Sequence, residues 1–288
     1  MKLPIAVNTF VWHSPLTGDL LDDTLRKVAD MGFDGVELAL ENVGDWDPAA
    51  ARDLLQELGL SAVVGAVFPP GRELAAAGDA QIADTMDYVR GAVDVAAMQG
   101  SPLVIGPMYT SVGRAWRMAA DERAAAISTL RESLAVLADY AGERGVRLAI
   151  EPLNRYETSL LNTAEQVLEV IGPLPAETIG LNLDTYHMNI EESSLDKAFD
   201  LAGDRLLHLQ VCGNDRGAPG TDHLDWPGIR ESLARVGYGG MLGIESFTAD
   251  NATIATAASI WRPLAASQDQ LAIDGLRFLR EWRAKWPQ

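Results

Sequence analysis

Short apolar runs alternate with longer stretches of helical periodicity along the whole chain. Runs such as LVIG and LAI are continuously apolar, which is typical of parallel strands that are buried on both faces. Strands are predicted over 5–10, 35–40, 62–68, 102–107, 147–152, 179–184, 206–211 and 241–247. Each is followed by a helical pattern, over 19–31, 48–58, 79–98, 121–144, 163–171, 195–199, 226–236 and 267–286.

Glycines separate these helices from the strands that follow, where a helix end favours a left-handed residue. They are Gly32, Gly59, Gly100, Gly145 and Gly237. Repeated strand–helix units predict an α/β fold, a single (β/α)8 TIM barrel over residues 1–288. A doubly wound open sheet is the alternative, but no GxGxxG motif follows the first strand. The long segments 213–226 and 248–263 are expected to build the site at the carboxyl face.

Composition narrows the classes of partner. Among 288 residues there are 23 Lys plus Arg and 41 Asp plus Glu, giving a net charge of −18. Such a chain repels phosphate backbones and anionic lipid surfaces, so we expect neither nucleic acid nor a membrane as partner. The one cysteine, Cys212, has no disulfide partner within the chain. With no signal-peptide pattern or apolar run of about 18 residues, a cytoplasmic protein is expected.

Polar side chains end four consecutive predicted strands. AIEPLN brings Glu151, LNLDTYH brings Asp184, LLHLQVCG brings His208 and Gln210, and LGIESF brings Glu245. Because barrel enzymes place their chemistry at the carboxyl ends of the strands, we expect these groups to meet. Alternatively, each is a solvated rim residue, and Asp184 caps the turn that follows it.

Three clustered carboxylates repel one another, and their burial adds a desolvation cost. A divalent cation supplies the opposite charge and removes that cost. Carboxylate and amide oxygens are hard donors that suit Mg²⁺ or Mn²⁺ better than zinc. The residues therefore predict one divalent metal at the top of the barrel.

The segments EPLNRYETSLLNT, LNLDTYHMNIEE, GNDRGAPGTDHLDWPGIRESLARVGYGG and IES resemble the ketose 3-epimerases, the D-tagatose and D-psicose 3-epimerase group. These enzymes belong to the xylose-isomerase-like TIM barrels. The resemblance spans the barrel and is densest from about residue 147 to 247. It implies that Glu151, Asp184 and Glu245 bind a metal, Mn²⁺ first, with Mg²⁺ or Co²⁺ as alternatives. It also implies that Glu151 and Glu245 form the acid/base pair.

The same resemblance implies a set of substrate-binding residues. Glu157 would bind substrate hydroxyls, His187 and Arg216 would hold oxygens at the reacting carbonyl end, and Trp116 would be an aromatic residue over the site. Members of the family form dimers and tetramers, so a homodimer or homotetramer is expected.

The chain departs from the family pattern at one metal position. The family has a His six residues before the Arg, and here that position is Gln210; His208 lies two residues earlier and deeper in the strand. Gln at this position is similar to the hydroxypyruvate isomerases and dehydroshikimate dehydratases of the same superfamily, in which it is a ligand. We therefore predict that Gln210 binds the metal through its side-chain oxygen. Endonuclease IV shares the fold but has a His-rich zinc site, which the four His residues and acidic charge of this chain exclude.

These residues predict a divalent-metal-dependent sugar epimerase or isomerase that acts through an enediolate on a free ketose or keto sugar. Two carboxylates on opposite sides of the substrate remove a C–H proton and return one. The first alternative is a metal-dependent dehydratase or lyase on a 3-keto sugar or cyclic polyol, since the same carbanion can lose a leaving group. The second is a sugar-binding barrel without catalysis.

Overall fold

The structure is a computed structural model that describes residues 3–286. Eight parallel strands close into a barrel in chain order. They are β1 (Ile5–Asn8), β2 (Gly35–Leu40), β3 (Ser61–Ala66), β4 (Leu103–Gly106), β5 (Arg147–Ile150), β6 (Ile179–Asp184), β7 (Leu206–Val211) and β8 (Leu242–Ile244). β1 closes the barrel on β8, with Ile5 opposite Leu242 and Val7 opposite Ile244. The predicted (β/α)8 fold is confirmed, and the open-sheet alternative is wrong.

Helices surround the barrel. They are α1 (Gly18–Met31), α2 (Pro48–Leu58), α3 (Asp79–Gln99), α4 (Ala120–Gly142), α5 (Ala164–Ile171), α6 (Thr185–Glu191), α7 (Leu195–Ala202), α8 (Trp226–Arg235), α9 (Ala252–Ala257) and α10 (Gln268–Arg283). Gly32, Gly59 and Gly100 end α1, α2 and α3 at positive φ, as predicted for left-handed caps. No helix within residues 3–286 has the length and apolar character needed to cross a bilayer.

Several predicted strands end earlier than the sequence pattern indicated. β1 stops at Asn8, because the Asn8 side chain accepts from the Phe10 N–H and starts a 3-10 turn over Thr9–Val11. β5 and β8 stop at Ile150 and Ile244, so the next residue of each chain segment opens a loop. β5 and β8 thus end immediately before the predicted site residues Glu151 and Glu245.

Two short helices on the carboxyl side of the barrel were not predicted. α6 begins directly after Asp184, whose side chain accepts from the Tyr186 N–H and caps the helix. α9 lies in the long segment after β8, where Asn251 caps its first turn. Both are too short for a periodic pattern to stand out.

The apolar core lies mainly between the strands and the surrounding helices. Val104 on β4 and Leu148 on β5 belong to this layer, whereas their neighbours Ile105 and Ala149 pack in a separate small cluster. Since strand side chains alternate between faces, this second cluster lies inside the barrel. Above it the interior becomes polar, and that change positions the site.

Candidate active site

Three buried carboxylates come together at the carboxyl end of the barrel. Glu151 follows β5, Asp184 ends β6 and Glu245 follows β8, with relative exposures of 4%, 0% and 7%. Glu151, Asp184 and His187 each present a possible ligand atom, and these atoms lie within 4.8 Å of one another. Arg216 Nη1 contacts Asp184 and lies 2.9 Å from Oε2 of Glu245, which joins the third carboxylate to this group.

The electrostatics of the cluster favour an added positive charge. Burial raises the pKa of Glu151 well above its ordinary value, and repulsion from Glu245 and Asp184 raises it further. Burial likewise raises the pKa of Glu245, although Arg216 acts in the opposite direction. Hence the single positive charge of the Arg216 guanidinium does not neutralise three ionised carboxyl groups. Their oxygen-rich donor set fits a divalent cation.

Arg216 is held over the site by an unusual backbone conformation. Its φ is 68°, a left-handed value that non-glycine residues adopt rarely. The loop around it is closed by the Gly213 N–H, which donates to the Gly217 carbonyl at 2.8 Å. The guanidinium lies 4.1 Å from the ring centroid of Tyr186 and 5.2 Å from that of Phe247. These contacts aim the charge at the carboxylates.

His187 lies on α6 beside the same cluster. The backbone N–H of Asn154 donates to its Nδ1 at 3.0 Å. Its Nε2 lies 3.6 Å from Oε1 of Glu151 and 3.8 Å from Oδ2 of Asp184. Burial, and then the charge of Arg216, lower the pKa of His187 well below its ordinary value. The imidazole is therefore uncharged at neutral pH and faces the site.

The two other predicted substrate residues occupy different surroundings. Glu157 lines the pocket and accepts from Nδ2 of Asn154 at 2.7 Å, and burial raises its pKa. Trp116 is not among the lining residues. Its backbone pairs with the Ser159 hydroxyl, and the Arg114 guanidinium lies 4.2 Å from its ring centroid. The binding role of Trp116 stays a prediction.

Gln210 turns its amide nitrogen toward the carboxylates. Nε2 donates to Oε1 of Glu245 at 2.8 Å and to Oε2 of Glu37 at 3.0 Å, while Oε1 accepts from Asn182 at 2.7 Å. The reverse orientation would place the amide oxygen against two carboxylates. Metal binding through this oxygen stays a prediction, and in this structure the oxygen is engaged by Asn182.

A family model described as xylose isomerase-like TIM barrel matches residues 25–282 of the chain. The chain belongs to this family. A protein of Synechocystis sp. named as a probable ketose 3-epimerase is 30% identical over 280 residues, covering 97% of this chain and 96% of its own. A ketose 3-epimerase of Arthrobacter globiformis is 28% identical over 281 residues, with 97% and 96% covered.

Solved structures give the same result. A structure of L-ribulose 3-epimerase matches with a TM-score of 0.91 at 27% identity, covering 98% of this chain and 95% of that one. A D-allulose 3-epimerase from Methylomonas sp. in complex with D-allulose matches with a TM-score of 0.86 at 28% identity, covering 97% of both. The expected resemblance to ketose 3-epimerases is thus confirmed.

In this xylose isomerase-like barrel, two polar residues beneath the carboxylates were not predicted from the sequence. Asn8 at the end of β1 donates to both Glu37 and Glu245. Glu37 lies within β2, a strand in which every residue is buried. The signal was present in the segment GVELAL, because a charged residue inside a fully apolar run needs a buried partner.

The mouth of the barrel is mainly apolar. Phe10 and Phe247 form a ring pair with centroids 5.5 Å apart. Further lining comes from Val67, Phe68, Val112, Leu153 and Ile254. Ser14 and Glu41, which are hydrogen-bonded to each other, add polar lining away from the carboxylates. Most polar lining residues belong to the carboxylate cluster, so a polar ligand would be recognised and react there.

Proposed function

We propose that this chain is a divalent-metal-dependent sugar epimerase, an isomerase that moves a proton at the carbon next to a ketone. The observation that carries the proposal is the pair of buried carboxyls Glu151 and Glu245, whose pKa values are both raised beside Asp184. A raised pKa allows a carboxyl group to donate as well as accept a proton near neutral pH. Full-length similarity to ketose 3-epimerases supports this reading.

The carboxylates of Glu151, Asp184 and Glu245 are the proposed metal-holding groups, with Mn²⁺ first and Mg²⁺ or Co²⁺ as alternatives. An ion bound there would supply Lewis-acid chemistry, which would stabilise negative charge on the substrate oxygens. Gln210 is the proposed fourth ligand through its side-chain oxygen. This oxygen has two lone pairs, one of which accepts from Asn182, while the side-chain nitrogen donates to Glu245.

The chain's own residues bind the sugar and move the proton. One of Glu151 and Glu245 removes the C3 proton, and the other returns a proton to the opposite face of the enediolate. Glu157 accepts from sugar hydroxyls. His187 and Arg216 hold the oxygens at the carbonyl end, where the cationic guanidinium also offsets developing negative charge.

The substrate is proposed to be a free ketose. No dedicated phosphate-binding motif occurs in the sequence. The pocket base also holds several carboxylates, which disfavour an added phosphate. Two of the relatives are named for L-ribulose and D-psicose, and one solved relative holds D-allulose. Trp116 is proposed to bind the substrate as an aromatic residue over the site.

The experiment uses the purified chain with Mn²⁺, Mg²⁺ or Co²⁺ in D₂O. D-allulose, D-fructose, D-tagatose and L-ribulose are supplied separately and followed by proton NMR. Loss of the C3 proton together with appearance of the C3 epimer supports the proposal. New vinyl signals would instead indicate the dehydratase or lyase alternative, and binding without any reaction would indicate a sugar-binding barrel.

We further propose one catalytic domain over residues 1–288, a cytoplasmic location, and a homodimer or homotetramer. The resemblance to the ketose 3-epimerases supports the assembly, and the acidic charge with a single cysteine supports the location. Analytical ultracentrifugation at several concentrations tests the assembly, and a monomer at all of them would contradict it.

A further inference from the structure

A fully buried carboxylate lies inside the barrel beneath the candidate active site. Glu37 on β2 is 0% exposed, and its Oε1 lies 2.7 Å from Nε2 of His208 on β7. Gly243 on β8 makes room for it, because a Cβ at this position would lie 1.4 Å from Oε1 of Glu37. The desolvation of this carboxylate is offset only while its hydrogen-bond donors stay in place. His208 and Gly243 therefore accommodate the Glu37 carboxyl group inside the barrel.

The other oxygen of Glu37 accepts from two side-chain amides. Nδ2 of Asn8 donates to Oε2 at 2.9 Å, and Nε2 of Gln210 donates to the same oxygen at 3.0 Å. Both nitrogens also donate to Oε1 of Glu245, at 3.3 Å from Asn8 and 2.8 Å from Gln210. An amide nitrogen carries two hydrogens. Each amide thus bridges Glu37 and Glu245, and the two bridges run side by side.

These bridges distinguish the two oxygens of Glu245. Oε1 is held by the amides, while Oε2 lies 2.9 Å from Nη1 of Arg216. Two hydrogen bonds to the same oxygen resist rotation of the carboxyl group, because rotation would break both. Both oxygens of Glu245, a residue that lines the pocket, are therefore held by donors.

We propose that Glu37 is a positioning residue for Glu245, which it holds in place through the amides of Asn8 and Gln210. The role rests on the proposed epimerase function. Glu37 is beneath the carboxylates and does not line the pocket, so it acts through other residues. Gln210, at the position where the chain departs from the family pattern, works here as a hydrogen-bond donor to Glu245.

A reaction with two bases allows this role to be measured. When Glu151 removes the C3 proton, it can return a deuteron to the same face, which is exchange, or Glu245 can protonate the other face, which is inversion. Displacing Glu245 slows inversion more than exchange for the epimer that Glu151 deprotonates. For the opposite epimer, both processes slow together. A variant that is merely less folded loses both in proportion from either epimer.

The test measures the ratio of C3 exchange to inversion in D₂O, starting from D-fructose and separately from D-allulose, with Mn²⁺ content matched by metal analysis. Glu37→Met removes the carboxylate at similar volume, and we expect the ratio from one epimer to rise about tenfold or more, the scale seen for partners that orient site residues. Glu37→Gln keeps one side-chain oxygen that can accept from the amides of Asn8 and Gln210, so the ratio of exchange to inversion should rise less in this variant. Gln210→Met removes one of the two amide bridges between Glu37 and Glu245. It therefore tests the same connection if Glu37→Met does not fold.

Glu73→Gln is the matched control. Glu73 is also a buried carboxylate, but its partners are Ser111 at 2.6 Å and Arg114 at 2.7 Å, away from Glu245. We expect its ratio to equal that of the wild type. Wild-type-like ratios in both Glu37→Met and Gln210→Met would overturn the positioning role while leaving the epimerase function intact. A wild type that exchanges no C3 proton of D-allulose, D-fructose, D-tagatose or L-ribulose would remove the epimerase function itself, and the positioning role with it.

Discussion

Nη1 of Arg216 lies 2.9 Å from Oε2 of Glu245, and the same nitrogen contacts Asp184. A guanidinium is charged at every pH at which proteins are folded. The protein therefore directs a permanent positive charge at two carboxylates that are proposed to hold a metal. The left-handed backbone at Arg216 shows that this placement is maintained at a conformational cost.

Replacing Arg216 tests its proposed hold on the substrate. Arg216→Lys keeps the charge but loses the planar fork and the contact with Tyr186. Loss of one hydrogen bond to a charged group corresponds to about 1.5–3 kcal/mol, so kcat/KM for the ketose should fall about 10- to 150-fold. Arg235→Lys is the control: Arg235 ends α8 and forms an exposed pair with Asp200 on α7, so kcat/KM should be unchanged. Equal kcat/KM values for Arg216→Lys and Arg235→Lys would contradict the substrate-binding role of Arg216.

Conservative changes at the two bases should separate their roles. Glu245→Gln and Glu151→Gln each keep the side-chain shape but remove one proton acceptor, so epimerisation should fall about 10²- to 10⁴-fold in either. Each variant should retain C3 exchange from only one of the two epimers, and the two variants should retain it from opposite ones. Proton NMR in D₂O measures this. Near wild-type exchange from both epimers in Glu245→Gln would exclude the role of Glu245.

Metal should stabilise the folded chain through the carboxylates. A ligand that binds only the native state at about 100 times its Kd adds about 2.7 kcal/mol. We expect Mn²⁺ to raise the thermal midpoint of the chelator-treated protein, and Asp184→Asn to lose most of that shift. Calorimetry with and without Mn²⁺ provides the measurement. A wild-type thermal midpoint that is the same with and without Mn²⁺ would argue against the proposed metal site.

The raised pKa values of Glu151 and Glu245 predict a pH dependence of stability. Both pKa values lie above the ordinary 4.5 in the folded chain, so the native state holds more protons than the unfolded state above that pH. Stability should therefore fall as pH rises from about 4.5 through the raised pKa values, by about 1.4 kcal/mol for each pKa unit. Urea unfolding of the chelator-treated protein at several pH values measures the slope.

The double variant Glu151→Gln/Glu245→Gln is the control for that slope. It removes both titrating groups, so its stability should depend less on pH over the same range. An equal slope in the wild type and in the double variant would assign the pH dependence to the general negative charge of the chain.

Gly243 should tolerate no side chain. A Cβ at this position would meet Oε1 of Glu37 at 1.4 Å, whereas at Gly18 on α1 the nearest heavy atom is a carbonyl oxygen 3.8 Å away. Gly243→Ala should therefore lose about 1–3 kcal/mol or more in the free energy of unfolding. Gly18→Ala should stabilise the chain slightly, because alanine is the better helix former. Chemical denaturation compares the two, and a stable Gly243→Ala would contradict the tight packing around Glu37.

The sequence alone determined the barrel fold and showed that its three carboxylates lie at the carboxyl end of the strands. Apolar runs and helical periodicity are local signals, and the repeat of strand and helix leaves little choice of topology. Once the strands are parallel and closed, their carboxyl ends share one face. Glu151, Asp184 and Glu245 then fall together without any knowledge of side-chain orientation.

Only the tertiary structure decided how the polar residues are connected across the barrel. Asn8 bonds to Glu37 across 29 residues of sequence and to Glu245 across 237. The amide orientation of Gln210 follows from the two carboxylates that face its nitrogen. Periodicity shows which face of a strand a side chain occupies, but a hydrogen bond depends on atom positions set by the closed barrel as a whole. For that reason Gln210 could be singled out from the sequence, while its donor role became visible only in the folded chain.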